Sequence, residues 1–247
     1  MTHLMDFYQS PIGCMTQDFI SAQLKKILAV IRPDERVLIL GYGIYFADDI
    51  QKLGSDKIIL AYPDGMPPVL WPDSAAHQSC IVSLDALPFG DVTFDRVILV
   101  HALEFAPEPG HLLFEIQRIL TAQGQLICIT PNRNGIWSWF EHTPFGEGQT
   151  FSTRQIRRLL LGVQLSPLQI QTALFVPPLN FSFHKIARGF ARGIEAAGSY
   201  LGLRMGGIVI AVAQKQRYAG IPVKPLARAK KIQLQWATPQ NSARDER

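Results

Sequence analysis

Two glycines stand directly after an apolar run in Arg36-Val-Leu-Ile-Leu-Gly41-Tyr42-Gly43. Backbone without a Cβ at such a point can approach a bound ligand closely. The same pair also suits a tight strand-to-helix turn that holds nothing. A dinucleotide site asks for a third glycine three residues on, and this chain has Phe46 there, which disfavours nicotinamide and flavin chemistry. His101 follows a second apolar run, Phe94 to Val100, and Asn132 with Arg133 follow a third, Gln125 to Thr130. His142 lies in a loop, Glu141 to Gly146, between Trp137-Ser-Trp139-Phe140 and further glycines. Loops of this kind carry substrate contacts, and a histidine there can move a proton near neutral pH. His142 is therefore the candidate general base, and Asn132, Arg133 and His142 are candidate substrate contacts. Each has a plainer role as well: His101 as a strand-end residue, the others as ties for loop backbone. Cys14, Cys80 and Cys128 form no Cys-x-x-Cys and have no histidine at ligand spacing. No metal centre or disulfide framework is expected, and the reduced cytoplasm is the expected compartment.

These residues need elements to place them. Ile20, Leu24, Ile27, Leu28 and Ile31 recur at helical spacing after Thr16, predicting an N-terminal helix over 16–32 with Thr16 as its N-cap. Short, wholly apolar runs such as Val37 to Leu40 suit strands buried on both faces of a parallel sheet. Further strands are predicted over Lys57 to Tyr62, Ser79 to Ser83, Phe94 to Val100 and Gln125 to Thr130, and around Leu168 to Val176 and Gly207 to Ala213. Helices are predicted over Phe46 to Leu53 and over His111 to Leu120, the second stopped by Gly124. Another follows Ser152, which with Gln155 forms a capping box. Strands alternating with helices predict an α/β, doubly wound, mostly parallel Rossmann-like sheet. In Phe183 to Leu201, apolar residues recur every three or four positions beside Lys185, Arg188 and Arg192. That pattern predicts a helix packed on the sheet, or a basic helix lying on a membrane surface.

The net charge of +4 is uneven: eight of the 24 basic residues lie from Gln214 onward with two of the 20 acidic ones, leaving sixteen against eighteen in the body. Such a basic end is usually solvated, and it can also hold nucleic acid or another anionic partner. No apolar stretch is long enough to span a membrane, and the N-terminus lacks the basic flank and apolar run of a secretory signal. The expected organisation is one domain over residues 1–217, with its core over 35–213, and a basic, flexible tail over 218–247.

The stretch LPFGDVTFDRVILVHALEF and the later EIQRILTAQGQLICITPNR closely resemble the type 11 group of class I S-adenosylmethionine-dependent methyltransferases. Members read LPF, a few residues, Phe-Asp, an apolar strand and His-x-Leu-Glu-His, then a helix ending Arg-x-Leu-x-Pro-Gly-Gly. The similarity spans roughly residues 35 to 135, and EHTPFGEGQTFST and VLILGYG resemble one bacterial branch of the group. The resemblance implies a seven-stranded sheet with an antiparallel last strand, and S-adenosyl-L-methionine as cofactor outside the carboxyl ends of the strands. It further implies that Gly41, Tyr42 and Gly43 form the glycine loop and that Tyr62 ends the ribose-side strand. Ser83, Leu84 and Asp85 would border adenine, with Val100 and His101 beneath the methionine moiety. The expected activity is methyl transfer to an acceptor, most simply a small molecule. No Asp/Asn/Ser-Pro-Pro-Tyr/Phe sequence or catalytic cysteine pair is present, which disfavours transfer to adenine N6 or cytosine C5.

Three positions depart from the group. Its form Val-Leu-Asp-Leu-Gly-Cys-Gly-Thr-Gly has an acid where Ile39 stands and a glycine where Tyr45 stands, and an Asp or Glu ends the second strand where this chain has Ala61 and Tyr62. They admit an alternative: a catalytically inactive protein that kept the fold as a binding or scaffold module. In that case Tyr42, Tyr45 or Tyr62 would fill the space above Gly41 and Gly43.

Overall fold

Successive residues of a strand point to opposite faces, and in the central strands both faces are apolar. Val37, Ile39, Ile58, Leu60, Ile98, Val100, Ile127 and Ile129 belong to one buried cluster, whereas Leu38, Leu40, Ala61, Val97, Leu99, Leu126 and Cys128 belong to a second. The computed structural model describes residues 2–28, 31–72, 77–140, 143–178, 193–195, 197–198 and 203–216, within one unit, Met1–Arg217. Its strands are β1 (Arg36–Gly41), β2 (Lys57–Pro63), β3 (Ser79–Val82), β4 (Phe94–Val100), β5 (Leu120–Pro131), β6 (Leu165–Ala173) and β7 (Ile208–Lys215). They form one seven-stranded sheet in the order β3-β2-β1-β4-β5-β7-β6. β1 to β5 run parallel, and β7 is antiparallel to both β5 and β6. This is the α/β sheet that the alternating runs predict. Order reverses between β1 and β4, so the crevice at their carboxyl ends is where a fold of this kind holds a ligand.

The helices are α1 (Thr2–Gln9), α2 (Pro11–Leu28), α3 (Ile44–Gln51), α4 (Pro109–Ile119) and α5 (Thr153–Gly162). Buried residues of α1, α2 and α3 pack with the first cluster, and those of α4 and α5 with the second. The N-terminal expectation is corrected: two helices replace one, and Thr16 lies inside the second. Ser10 breaks the chain between them, its hydroxyl donating to Phe7 O (2.6 Å) and accepting from Gly13 N (3.1 Å). Pro11 then suits the first helical position, whose N–H has no intrahelical partner. Thr16 Oγ1 instead donates to Ile12 O one turn back (2.9 Å), the mid-helix use of a threonine hydroxyl.

Gly124 does not end α4. Leu120 already has extended φ/ψ, and Gly124 lies inside β5. The pairing of Phe94 with Leu120 draws the chain into the sheet at once, so tertiary pairing replaces the local stop signal. The capping box at Ser152 and Gln155 is present. His142, the tail over 218–247 and most of the Phe183 to Leu201 pattern lie outside the described residues.

Arg118 explains why the LPFGDVTF turn has a fixed shape. Its guanidinium donates to Leu87 O (3.0 Å) and Phe89 O (2.8 Å), and pairs with Asp91 (2.7 Å) and Glu115 (2.8 Å). Glu115 in turn accepts from Leu87 N (3.1 Å), and the hydrogen bond from Arg118 holds its carboxyl below the usual glutamate range. One planar fork thus serves two backbone carbonyls and two carboxylates, a geometry lysine cannot copy. Arg118→Lys is expected to cost about 1–3 kcal/mol in urea unfolding, nearly as much as Arg118→Ala. Recovery of parent stability by the lysine would show that charge alone is sufficient.

Candidate functional site

The register of the sheet gathers the predicted cofactor residues at one edge. Gly41 pairs with Val100 across β1 and β4, and Tyr62 pairs with Ile81 of β3, one position before the last pair, Pro63 with Val82. Gly41 has φ +98°, and a Cβ on it would lie 2.2 Å from Val100 O. The Tyr42 amide donates to that same carbonyl (2.8 Å). A Cβ on Gly43 would lie 1.9 Å from Ile39 Cγ2. Both glycines are therefore demanded by the protein's own packing at the turn. Ile39, the departure at the family's acidic position, is what closes on Gly43.

His101 is fully buried and has φ +48°, a conformation that costs a non-glycine residue on the order of 1–3 kcal/mol. Its surroundings over-determine it. The His101 amide donates to Ile129 O (3.1 Å). Nδ1 lies 2.8 Å from Glu104 Oε1, and Nε2 lies 2.8 Å from the Tyr8 hydroxyl. With a carboxylate on Nδ1, that nitrogen carries the proton and Nε2 accepts from Tyr8. Glu104 Oε2 accepts from Thr130 Oγ1 (3.1 Å). Tyr8, His101, Glu104 and Thr130 thus make one buried chain of hydrogen bonds from α1 to β5. Burial, then the nearby Glu104 charge, pushes the Tyr8 hydroxyl well above its usual pKa, so it is a donor at neutral pH.

Tyr8 is also the centre of an aromatic cover. It stacks on Tyr45 (4.8 Å between centroids, 27° between planes), with Phe7 (5.4 Å) and Phe46 (6.1 Å) edge-on to it. Phe145 lies edge-on to both Phe7 and His101 at 5.4 Å. Tyr45 Oη donates to Met5 O (3.3 Å), and Gln17 Nε2 donates to Tyr45 O (2.7 Å). Tyr45, where the family has its last glycine, is therefore the platform on which α1 sits. Tyr42 and Tyr62 are also buried in this cluster.

The predicted residues divide by what surrounds them. Tyr42, Tyr62, Val100 and His101 are buried, whereas Ser83 is half-buried, Leu84 buried and Asp85 exposed beyond the end of β3. Asn132 spends its side chain on backbone: Nδ2 donates to Arg204 O (2.9 Å) and Gly206 O (2.7 Å), and Oδ1 accepts from Asn134 N (3.2 Å). Arg133 is exposed beside it. Tyr8, Glu104 and Thr130 escaped the sequence reading. The spacing of Leu4, Phe7, Tyr8 and Ile12 was the available signal, since it is helical and apolar on one side.

A nucleoside sulfonium fits this edge in chemistry at its nucleoside end. The Tyr62 hydroxyl is buried without a hydrogen-bond partner, where the resemblance expects a ribose contact. Burial pushes that phenol up to about 12, partly offset by the nearby Val69 backbone. Its free hydrogen-bonding capacity and the exposed Asp85 suit ribose and adenine. At the methionine end Tyr8 stands on His101, and a ligand reaching His101 requires α1 to give way. Among the described residues no cluster of His, Cys, Asp and Glu could hold a metal ion, and no helix is long and apolar enough to cross a membrane.

Residues 71–128 match the model of a methyltransferase domain family, the span that carries β3, β4, α4 and the Arg118 clamp. Curated protein sequences give no match. Among solved structures, a Thermotoga maritima protein described as a possible histamine N-methyltransferase is 18% identical, with a TM-score of 0.55 over 81% of this chain and 91% of that one. A methyltransferase from Archaeoglobus fulgidus is 16% identical, with a TM-score of 0.54 over 81% and 94%. A chain of the complex between the Haloferax volcanii activator Trm112 and a methyltransferase is 20% identical, with a TM-score of 0.54 over 80% and 94%. Likeness at this identity is likeness of fold. Residues 71–128 are thus similar to a methyltransferase domain family, and the seven-stranded sheet shares the fold of these methyltransferase structures.

Proposed function

We propose that this chain transfers a methyl group from S-adenosyl-L-methionine to a small-molecule acceptor at the carboxyl edge of β1, β2 and β4. The observation that carries the reading is the unpartnered Tyr62 hydroxyl buried at the end of β2, within reach of the crevice that the matched family uses. Bound there, the cofactor supplies an electrophilic sulfonium methyl. The protein's part is to align the acceptor and exclude water, which for a reactive donor accounts for most of the rate. The aromatic cover of α1 is suited to exclude water once the site is filled. Asn132 and Arg133 border the acceptor side, and His142 is the base for acceptors that must lose a proton.

The inactive-module reading has its own observation: Tyr8 already occupies the place above His101, hydrogen-bonded and stacked. Calorimetry with S-adenosylhomocysteine on the parent chain and on Tyr8→Ala separates the two. The methyltransferase reading expects saturable binding to the parent, and tighter binding once Tyr8 no longer has to be displaced. Silence from both proteins at millimolar ligand would leave the scaffold interpretation standing.

A further inference from the structure

We infer that Arg154, Arg157 and Arg204 form a binding site for a phosphate-bearing ligand at the β6 end of the sheet, beyond the cofactor crevice and next to the acceptor side of the proposed methyl transfer, where Asn132 Nδ2 donates to Arg204 O (2.9 Å). The cofactor crevice and this site lie on one sheet: β4, β5 and β7 separate β6 from β1, roughly 19 Å at the usual strand spacing.

Charge gives the first argument. From Gly148 to Gln216 the chain has eight lysines and arginines and a single acidic residue, Glu195. Glu195 is buried, and its carboxylate is committed to the backbone: Oε1 accepts from Leu174 N (2.9 Å) and Oε2 from Phe175 N (2.8 Å). This stretch therefore supplies no counter-ion to its own arginines. None of the three makes an ion pair among the described residues.

Shape gives the second. The three arginines line one cleft of about 400 Å³ between the start of α5, the end of β6 and the segment before β7. That volume lies in the range of small-ligand sites. Its floor is fixed, because Thr172 Oγ1 donates to Leu203 O (2.5 Å) and so ties β6 to the segment bearing Arg204. Arg154 and Arg157 are three apart on α5 and share a face.

Ligand chemistry follows from the lining. One carboxylate is satisfied by one guanidinium fork, whereas a phosphate offers three oxygens and up to two charges to several forks at once. The first turn of α5, at Thr153 and Arg154, adds the positive end of a ten-residue helix. Ile170, Phe175 and the exposed Leu203 form an apolar wall in the same cleft. The site thus takes a phosphate ester with an organic body, either a soluble phosphoester or the headgroup of an anionic lipid.

Two arms distinguish these sources on the full chain. Calorimetry with glycerol 3-phosphate and with pyrophosphate reports a soluble ligand, and flotation with phosphatidylglycerol against phosphatidylcholine vesicles reports a lipid. In whichever arm responds, Arg154→Gln, Arg157→Gln and Arg204→Gln are each expected to weaken binding about tenfold or more. Arg158→Gln, a neighbour outside the cleft, should change it little. All four residues are exposed, so circular dichroism should show the fold intact. The inference is overturned if neither arm responds, if the triple variant binds like the parent, or if only single-stranded RNA is retained. Binding is read directly, so none of these outcomes depends on methyl transfer.

Discussion

Gly41→Ala should lower the thermal midpoint by roughly 6–20 °C, the shift expected in a domain of this size for a loss of about 3–5 kcal/mol. Two costs combine. At φ +98° an L side chain is strained whatever space surrounds it, and here the added Cβ would lie 2.2 Å from Val100 O and 2.9 Å from the Ala102 Cβ. The first obstacle is backbone of the neighbouring central strand, so no rotamer change relieves it; β1 and β4 must part where the turn leaves the sheet. Gly65 provides the control. It has φ +80° with nothing within 4 Å of an added Cβ, so Gly65→Ala carries the conformational cost alone, about 1 kcal/mol. Equal midpoint shifts for the two variants in differential scanning calorimetry would show that crowding at Gly41 contributes nothing.

Removal of the Glu104 carboxylate should be nearly as damaging. Glu104→Ala leaves the His101 ring and the Thr130 hydroxyl without their buried acceptor, at an expected cost of about 3–5 kcal/mol. Tyr8→Phe removes only the hydroxyl on Nε2 and keeps the stacking on Tyr45, so about 1–3 kcal/mol is expected. The two changes should not add. Once Glu104 is gone, the His101 tautomer and ring orientation are free, and the Tyr8 hydroxyl has less to bond. A double-mutant cycle in denaturant should give a coupling of about 0.5–3 kcal/mol. Strict additivity would mean that α1 is held by packing alone and that the hydrogen-bonded chain has no energetic unity.

The consequence for activity depends on that coupling. If cofactor binding moves Tyr8 off His101, the energy of the buried chain is subtracted from apparent affinity, because only the opened fraction of molecules binds. The unusual residues of the glycine loop then have a purpose in common. Tyr45 in place of the family's last glycine gives Tyr8 a stacking surface, and Ile39 in place of its acid gives the loop an apolar underside. Both strengthen the covered state.

Much of this was legible in the amino-acid sequence because it depends on short-range order. Apolar runs such as Val37 to Leu40 admit little but doubly buried strands, and Ser152 with Gln155 states a helix start in four residues. The spacing from LPF through Phe-Asp to His101 carried the resemblance, and it lies within the segment, residues 71–128, that matches a methyltransferase domain family. Tertiary structure decided the rest. Gly124 reads locally as a helix stop, but the pairing of Leu120 with Phe94 overrides it, since ladder formation outweighs a single residue's preference. Thr16 reads as a cap until Ser10 and Pro11 take that position. The contact of Tyr8 with His101 spans 93 positions of chain, and no local periodicity encodes which aromatic residue lands on which histidine. That choice is made by the docking of α1 on the sheet edge, where side-chain shape rather than backbone preference sets the energy.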